Sequence, residues 1–439
     1  MHNLAIALKK IGHDVSGSDD EIFEPSKSRL EKEGLLPEKM GWDIDNIHED
    51  LDLVILGMHA RSDNPELQKA REIKLPINSY PEFLYNQSKN KKRIVIAGSH
   101  GKTSTTSMVL HVLKDLKIDF DFMVGAQIKG FDTMVRLSDA PIIILEGDEY
   151  FSSPIDMKAK FLWYKPHVAV ITGIAWDHIN VYPTKDDYNK AFSDFIQTIE
   201  DDGCLYYFEG DEVLTEIAAT TRPNLYRESY RDFEHKVQNG KTIAISRGKE
   251  YPLSVFGDHN IQNMQAARLI CHSLGIKDEL FFPSITSFDG ASNRLELLVE
   301  KGNKRVFKDF AHSPSKLEAT IKACKHQFTE GKLLSAMELH TFSSLTKDFL
   351  EEYAHCMDES DVAIVYFNPE VVEHKRLENI EKEDVKKAFE RDDLIVVTDT
   401  ESFKKEVTTR GENCQTILLM SSGNFGGLDI SAFAQSLLE

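Results

Sequence analysis

The stretch RIVIAGSHGKTSTT, residues 93–106, decides how the chain is read. Its first half is a short β-branched run ending at a glycine, which predicts a buried strand. Its second half, from Lys102, begins a helical pattern. Between them, Gly98-Ser99-His100-Gly101-Lys102-Thr103-Ser104 keeps the core of a phosphate-binding loop. Backbone N–H groups at a helix start attract phosphate oxygens, glycines allow close approach, the lysine supplies a cation, and the threonine hydroxyl suits Mg²⁺. The strict pattern wants glycine at 96, where Ile96 stands. A glycine turn with an incidental Lys and Thr is the alternative, and the strand–turn–helix context counts against it.

A phosphate loop needs a hard-metal ligand nearby. PIIILEGDEY (141–150) places Glu146 at the carboxyl end of another apolar run, the rim where open α/β sheets bind ligands. HVAVITG (167–173) leads into IAWDH, with Asp177 and His178. Taken singly, Asp148, Glu149, Asp177 and His178 read as solvated loop residues; the loop at 98–104 raises their standing. FGDHNIQNMQAA (256–267) sets His259, Asn260 and Asn263 at a helix start, where they suit either an adenine edge or an N-cap. In DFAHSP (309–314), Asp309 ends a strand and suits either a ribose hydroxyl or a cap.

At 439 residues the chain is too long for one core. Further strands are expected at LDLVILG (51–57) and, after about 297, in KRVFKDFAHS, KLLSAMELH, DVAIVYFNP, LIVVTD and QTILLMSSG, with helices such as 103–116 and 184–200 between runs. This alternation predicts parallel α/β sheets. GCLYYFEGDE and GKTIAISRGKEYPLSVFG, within 201–256, read as antiparallel strands. The expected modules are 1–90, 91–296 and 297–439. The first opens on a helix over 2–11, with Leu4, Leu8 and Ile11 on one face, followed by a strand at HDVSGSDD (13–20). A dinucleotide-type fold puts a strand and glycine turn before that helix, so this module is expected to lack its first strand, or the numbering to begin at an internal Met.

The formal net charge of −20 argues against a broad nucleic-acid surface. The five cysteines form no CxxC pair, which argues against a disulfide framework or structural zinc. No apolar run reaches bilayer length, and the N-terminus is not a secretory signal, so a cytoplasmic protein without membrane or nucleic-acid partners is expected.

Four motifs now stand in order: GSHGKTSTT; EGDEY followed by WDH; GDHNIQNMQAA; and FDGASNRLE followed by DFAHSP. Together they resemble the Mur ligase family, the ADP-forming amide ligases of peptidoglycan synthesis, over nearly the whole chain. The resemblance implies an α/β, three-domain architecture: a Rossmann-like N-terminal domain for the UDP-sugar, a central P-loop ATPase domain, and a C-terminal Rossmann-like domain that brings the amine. It implies ATP and Mg²⁺, with Lys102 and Thr103 on the phosphates and Glu146 and His178 on the metal. His259 and Asn260 would contact adenine, with Asn263 beside them. Arg294, Asp309 and His312 would approach the nucleotide, and Asp19, His100 and His340 the substrates. The implied partners are UDP-N-acetylmuramate and a peptide or amino-acid amine, in a monomer or weak dimer.

Several positions depart from the family pattern. Gly173 stands for a common Asn, Asn293 for the first of two arginines, Ser313 for a histidine, and Phe192 for a lysine that many relatives carbamylate. MELHTFSSL (337–345) lacks the arginines with which alanine-adding members hold a carboxylate. EGDEYFSSPIDMKAKF, NRLELL and LLMSSGNFGGLD point to the branch that adds L-alanyl-γ-D-glutamyl-meso-diaminopimelate. The close runner-up is the alanine-adding branch, which shares most of these motifs; further competing readings are a small-molecule kinase, a non-catalytic binding protein, and a dehydrogenase, and no G-x-G-x-x-G opens a strand–helix unit to support the last.

Overall fold

The computed structural model describes residues 1–153, 155–176, 181–238, 240–290 and 294–438. The chain divides into two compact units. One comprises Met1–Ile174, Lys185–Arg231 and Ala266–Ile276; the other comprises Ala175–Thr184, Asp232–Gln265 and Lys277–Glu439.

In the first unit, β1 (Val54–Leu56) and β2 (Ile77–Ser79) pair in parallel. β2 runs into the helix Tyr80–Gln87, whose start is fixed by a capping box of Ser79 and Glu82. The chain then supplies β3 (Lys92–Ala97), β4 (Asp121–Met123), β5 (Val135–Arg136) and β6 (Ile142–Gly147). A small antiparallel pair follows, β7 (Phe151–Ser153) and β8 (Asp156–Ala159). Next come β9 (Val168–Ile171), β10 (Cys204–Phe208) and β11 (Tyr226–Tyr230). Seven of these form one sheet in the order β11-β10-β9-β3-β6-β4-β5. Only the β4–β5 pairing is antiparallel. Ile94, Val95, Ile96, Ile143, Ile144, Leu145, Ala169, Val170 and Ile171 are all fully buried, as central parallel strands covered on both faces must be.

Three expectations for this unit fail. GCLYYFEGDE yields β10, which pairs in parallel with both β9 and β11. The helix Lys185–Gln197 intervenes between β9 and β10, so the connection is a crossover and not a hairpin. Residues 13–20 form no strand. They are mostly exposed acids, serine and glycine, and Ser18 donates instead to Glu66 at 2.8 Å. The N-terminal helix spans His2–Lys10 and buries Leu4 and Leu8, but Ile11 lies past its end and is exposed.

In the second unit, β12 (His235–Gln238), β13 (Lys241–Ser246) and β14 (Lys249–Pro252) form the antiparallel meander expected from the glycine turns. The β13–β14 turn, Arg247-Gly248, has positive φ at both residues, the geometry that follows strand twist. β15 (Glu296–Lys301), β16 (Lys304–Asp309), β17 (Leu333–Leu339), β18 (Val362–Phe367), β19 (Ile395–Val397) and β20 (Thr416–Met420) form a second sheet, ordered β15-β16-β20-β17-β18-β19. β15 is its antiparallel edge. Alternate residues serve opposite cores: Val306, Leu334, Ala336, Ile364, Ile417 and Leu419 pack on one face, and Phe307, Met337, Leu339, Val365, Leu418 and Met420 on the other.

All five cysteines carry free thiols. Among the described residues, no helix is long and apolar enough to cross a membrane.

Candidate active site

The first sheet reverses direction at β3. The chain leaves β3 toward β4 on one side, while β9, β10 and β11 extend on the other. Such a switch point opens a crevice at the carboxyl ends of the strands. The loop 98–101 emerges there. Gly98 adopts φ +130°, and a Cβ on it would lie 2.3 Å from Thr172 Oγ1 and 2.9 Å from Gly173 O. This glycine is therefore demanded by the neighbouring strand end as well as by any phosphate. Ser99 N donates to Gly173 O at 2.9 Å, and the Thr172 hydroxyl donates to His100 O, tying the loop to the end of β9. Gly101, at φ +78°, turns the chain into the helix Lys102–Asp115. The start of that helix leaves N–H groups directed into the crevice.

Register completes the arrangement. Ile96 pairs with Glu146 across β3–β6, so the carboxylate stands beside the loop. Thr103 Oγ1 donates to Glu146 Oε1 at 3.0 Å, and Gly125 N donates to Oε2 at 3.0 Å. Burial raises the Glu146 pKa; the Gly125 N–H, Lys102 and the Thr103 hydroxyl oppose the shift without cancelling it. Ser104 and Ser99 are buried beside the same turn.

Lys102 Nζ donates to Gly98 O and to Glu149 Oε2, the latter at 2.7 Å. Glu149 is wholly buried, and Oε1 accepts from Tyr188 Oη at 3.2 Å. Tyr188 Oη in turn lies 2.8 Å from Ser99 Oγ. Burial works to lower the Lys102 pKa, but Glu149, Asp148 and Glu146 together outweigh it and hold it above its usual value. An ammonium has three hydrogens. Among the described residues two are taken, by Gly98 O and Glu149 Oε2. Reading Glu149 as a solvated loop residue misses it. The available signal was chemical: a buried lysine needs a counter-ion, and Glu149 is three residues past Glu146. Asp148 does lie at the surface side, paired with Lys160 at 2.6 Å.

The pair predicts a measurable response. In Glu149→Gln, the buried ammonium loses its counter-charge, which costs about 3–5 kcal/mol. The melting temperature without nucleotide should fall, and the further rise on adding ATP should exceed that of the parent, because phosphate then supplies the missing charge. Equal ATP-induced shifts in a thermal titration would remove this role for Glu149.

Thr103 and Glu146 are hard oxygen donors 3.0 Å apart, a set that fits Mg²⁺. Among the described residues, no cluster of three or more His, Cys, Asp or Glu is arranged to hold a metal. Asp177 and His178 lie outside the described residues, as does Asn293.

Asp19 is exposed, and its carboxylate accepts from Asp20 N at 2.9 Å. His100 is partly buried and contributes its carbonyl to the loop contact with Thr172.

In the second unit, Asn260 Nδ2 donates to Phe256 O at 2.9 Å, and both Asn260 and Asn263 are buried. His259 lines a cavity of about 210 Å³ with His235, Asp258, Lys322 and His326. Burial lowers its pKa, opposed by Asp309 and Asp258. Asp309 acts as a backbone clamp: it accepts from Leu295 N at 2.5 Å and from Ala311 N at 2.7 Å. It does not cap the following helix, whose N-cap is Ser313. His312 Nδ1 donates to Phe310 O at 2.8 Å. The Arg294 guanidinium lies 4.7 Å above the Phe310 ring. His340 stands just beyond β17, its Nδ1 3.6 Å from Glu338 Oε1.

Comparison with known proteins puts a family to this geometry. Residues 1–92 match the Mur ligase family catalytic domain, 96–271 the Mur ligase middle domain, and 293–423 the Mur ligase glutamate ligase domain. The chain is 31% identical over 377 residues to UDP-N-acetylmuramate–L-alanine ligase of Clostridium botulinum, covering 83% of this chain and 80% of the relative. It is 26% identical over 440 residues to UDP-N-acetylmuramate–L-alanyl-γ-D-glutamyl-meso-2,6-diaminoheptandioate ligase of Haemophilus influenzae, covering 98% and 95%. The crystal structure of UDP-N-acetylmuramate-alanine ligase from Thermotoga maritima superposes with a TM-score of 0.71 at 22% identity, covering 100% of this chain and 95% of that one; this speaks to the fold alone. Three matched domains in chain order, and identity of that extent across most of both sequences, leave one conclusion: the chain belongs to the Mur ligase family.

Proposed function

We propose that this chain joins the carboxylate of UDP-N-acetylmuramate to the amine of L-alanyl-γ-D-glutamyl-meso-diaminopimelate, at the expense of ATP and through an acyl phosphate. The family consists of ATP-dependent, ADP-forming ligases; the choice of amine is our reading. The observation that carries the phosphoryl-transfer half is the Lys102 ammonium, fixed by two acceptors at a helix N-terminus with Thr103 and Glu146 alongside.

A carboxylate does not acylate an amine at neutral pH, because oxide is too poor a leaving group. Transfer of the γ-phosphoryl group to the muramate carboxylate supplies a better one. Two anions must meet in that step, and Lys102 and the N–H groups of the 98–104 loop offset the repulsion from fixed positions. Thr103 and Glu146, with His178, would hold Mg²⁺, which when bound neutralises phosphate charge. His259, Asn260 and Asn263 serve adenine in this reading, and Arg294, Asp309 and His312 the phosphates and ribose. The amine then attacks the acyl phosphate and phosphate leaves. The reaction is placed in the cytoplasm.

Two observations support the peptide as the amine. The relative that adds the peptide aligns over 98% of this chain, against 83% for the alanine-adding one. The segment 337–345 also carries Glu338, His340, Thr341 and Ser344 and no arginine. The higher identity of the alanine-adding relative favours the second reading, L-alanine. A panel decides: orthophosphate release with ATP, magnesium and UDP-N-acetylmuramate should be at least about tenfold faster with the peptide than with L-alanine at equal concentration, a difference of about 1.4 kcal/mol. Preference for L-alanine reverses the assignment, and phosphate transfer to an acceptor with no amine required supports a kinase.

A further inference from the structure

We propose that Tyr188 is a positioning residue for the phosphate loop: its hydroxyl ties Ser99 to Glu149 and so fixes the carboxylate that holds Lys102. This rests on the phosphoryl-transfer half of the reading above and adds to it a residue from outside the loop.

The tie lies within one compact unit, which contains both Met1–Ile174 and Lys185–Arg231. Three chain segments meet in it. Ser99 lies in the loop after β3, Glu149 just past β6, and Tyr188 in the first turn of the helix Lys185–Gln197. All three side chains are buried, Glu149 and Tyr188 wholly and Ser99 to 5% exposure. Tyr188, Phe192 and Phe195 share one face of their helix, at i, i+4 and i+7. The Phe192 ring stands edge-on to Tyr188 at 5.2 Å and to Phe161 at 5.4 Å. Aromatic packing therefore sets the direction in which the Tyr188 hydroxyl points.

Hydrogen counting fixes the order of the tie. A carboxylate only accepts, and a phenol has one hydrogen. Glu149 pairs with the Lys102 ammonium through Oε2 at 2.7 Å. The Tyr188 hydrogen goes to the other oxygen, Oε1, at 3.2 Å. At the 2.8 Å contact between Tyr188 Oη and Ser99 Oγ, Tyr188 then accepts and Ser99 donates. Ser99 thus commits its only hydroxyl hydrogen to Tyr188. Its side chain, although it sits in the phosphate loop, has none to offer an anion; the donors of the loop are its N–H groups and Lys102. The path from Ser99 through Tyr188 and Glu149 to Lys102 also bridges the two ends of the glycine turn.

Without the hydroxyl, Glu149 loses a donor to Oε1 and Ser99 loses its acceptor. Both groups are buried, so water does not simply replace the lost contacts. The carboxylate is then free to turn, and the ammonium turns with it. In the proposed reaction a displaced cation matters little for holding ATP, which the helix-start N–H groups also attract. It matters more in transfer, where charge moves between two anions and only groups already in place offset it. Tyr188 acts through Glu149 and Ser99.

The test compares the parent with Tyr188→Phe, Ser99→Ala and the double variant. Two quantities are measured: ADP formation at saturating ATP, magnesium, UDP-N-acetylmuramate and peptide, and ATP affinity by calorimetric titration. Tyr188→Phe keeps the ring and its packing on Phe192. Its turnover should fall about tenfold, while its ATP affinity changes by less than about threefold. Ser99→Ala should show the same pattern to a smaller degree. The double variant should match Tyr188→Phe alone, because both substitutions break one tie. Parent-like turnover in folded Tyr188→Phe overturns the proposal. So does a loss of ATP affinity in Ser99→Ala as large as its loss of turnover, which would make that hydroxyl a phosphate donor. So does a double variant whose two losses multiply. The comparison runs equally well with L-alanine, so an error in the amine leaves it intact. A parent that forms no ADP with UDP-N-acetylmuramate and either amine fails before any substitution is made; the ligase reading then falls and takes this inference with it.

Discussion

Lys102→Ala is expected to lower ADP formation, with all substrates present, by at least about a thousandfold. In the proposed reaction the γ-phosphoryl group and the muramate carboxylate are both anionic, and Lys102 is the cation assigned to offset their repulsion. Its position is not adjustable, because Gly98 O and Glu149 Oε2 hold it. Lys160, which follows the β7–β8 pair, is itself engaged by Asp148 at 2.6 Å. One complication follows from the same geometry. Removing Lys102 leaves Glu149 charged and wholly buried, which by itself destabilises by about 3–5 kcal/mol. The double variant Lys102→Ala/Glu149→Gln removes both charges and should recover most of the melting temperature but none of the activity. Substantial turnover in that folded double variant would falsify the role given to Lys102.

Glu146→Gln separates stability from function in the opposite sense. Burial raises the Glu146 carboxyl pKa above its value in an unfolded chain. Above the unfolded carboxylate range the folded state therefore carries a charge it disfavours, and the ionised group subtracts from stability at neutral pH. A glutamine removes that charge and keeps both contacts. Its carbonyl can accept from Gly125 N, and its NH₂ can donate to the Thr103 hydroxyl, which rotates to accept. The variant should melt at or above the parent temperature. Activity should fall by at least about a hundredfold, because a neutral amide is a poor ligand for a hard divalent ion. A drop in melting temperature together with retained turnover would place the metal elsewhere.

Much of the site could be read in one dimension because its parts are close in sequence. Gly98 through Ser104 is one turn, and the glycines, lysine and threonine stand at spacings that only a strand–turn–helix uses. Glu146 was legible because it ends an apolar run, and such runs end at a sheet's rim. Asp309 and Asn260 were legible only as polar residues at element ends. Each had two chemistries open to it, and the fold engages them first with backbone: Asp309 with Leu295 N and Ala311 N, Asn260 with Phe256 O. The strand at 204–208 was visible as a strand, but its partners were not. A strand's direction in a sheet depends on whether a crossover helix returns it, a property of the connection and not of the five residues themselves.

The sequence by itself determined the periodicities: fully apolar runs that must lie between two layers, a loop whose residue types suit phosphate, and four ordered motifs. These follow from short-range rules, since burial, turn geometry and hydrogen-bonding capacity are properties of local residue types. Only the tertiary structure decided the pairings: Lys102 with Glu149, Glu146 with Thr103 and Gly125, and Tyr188 with Ser99 and Glu149. Each joins residues on different strands, helices or loops. Register and strand order fix such meetings, and those are settled by the packing of whole sheets, which no local pattern encodes.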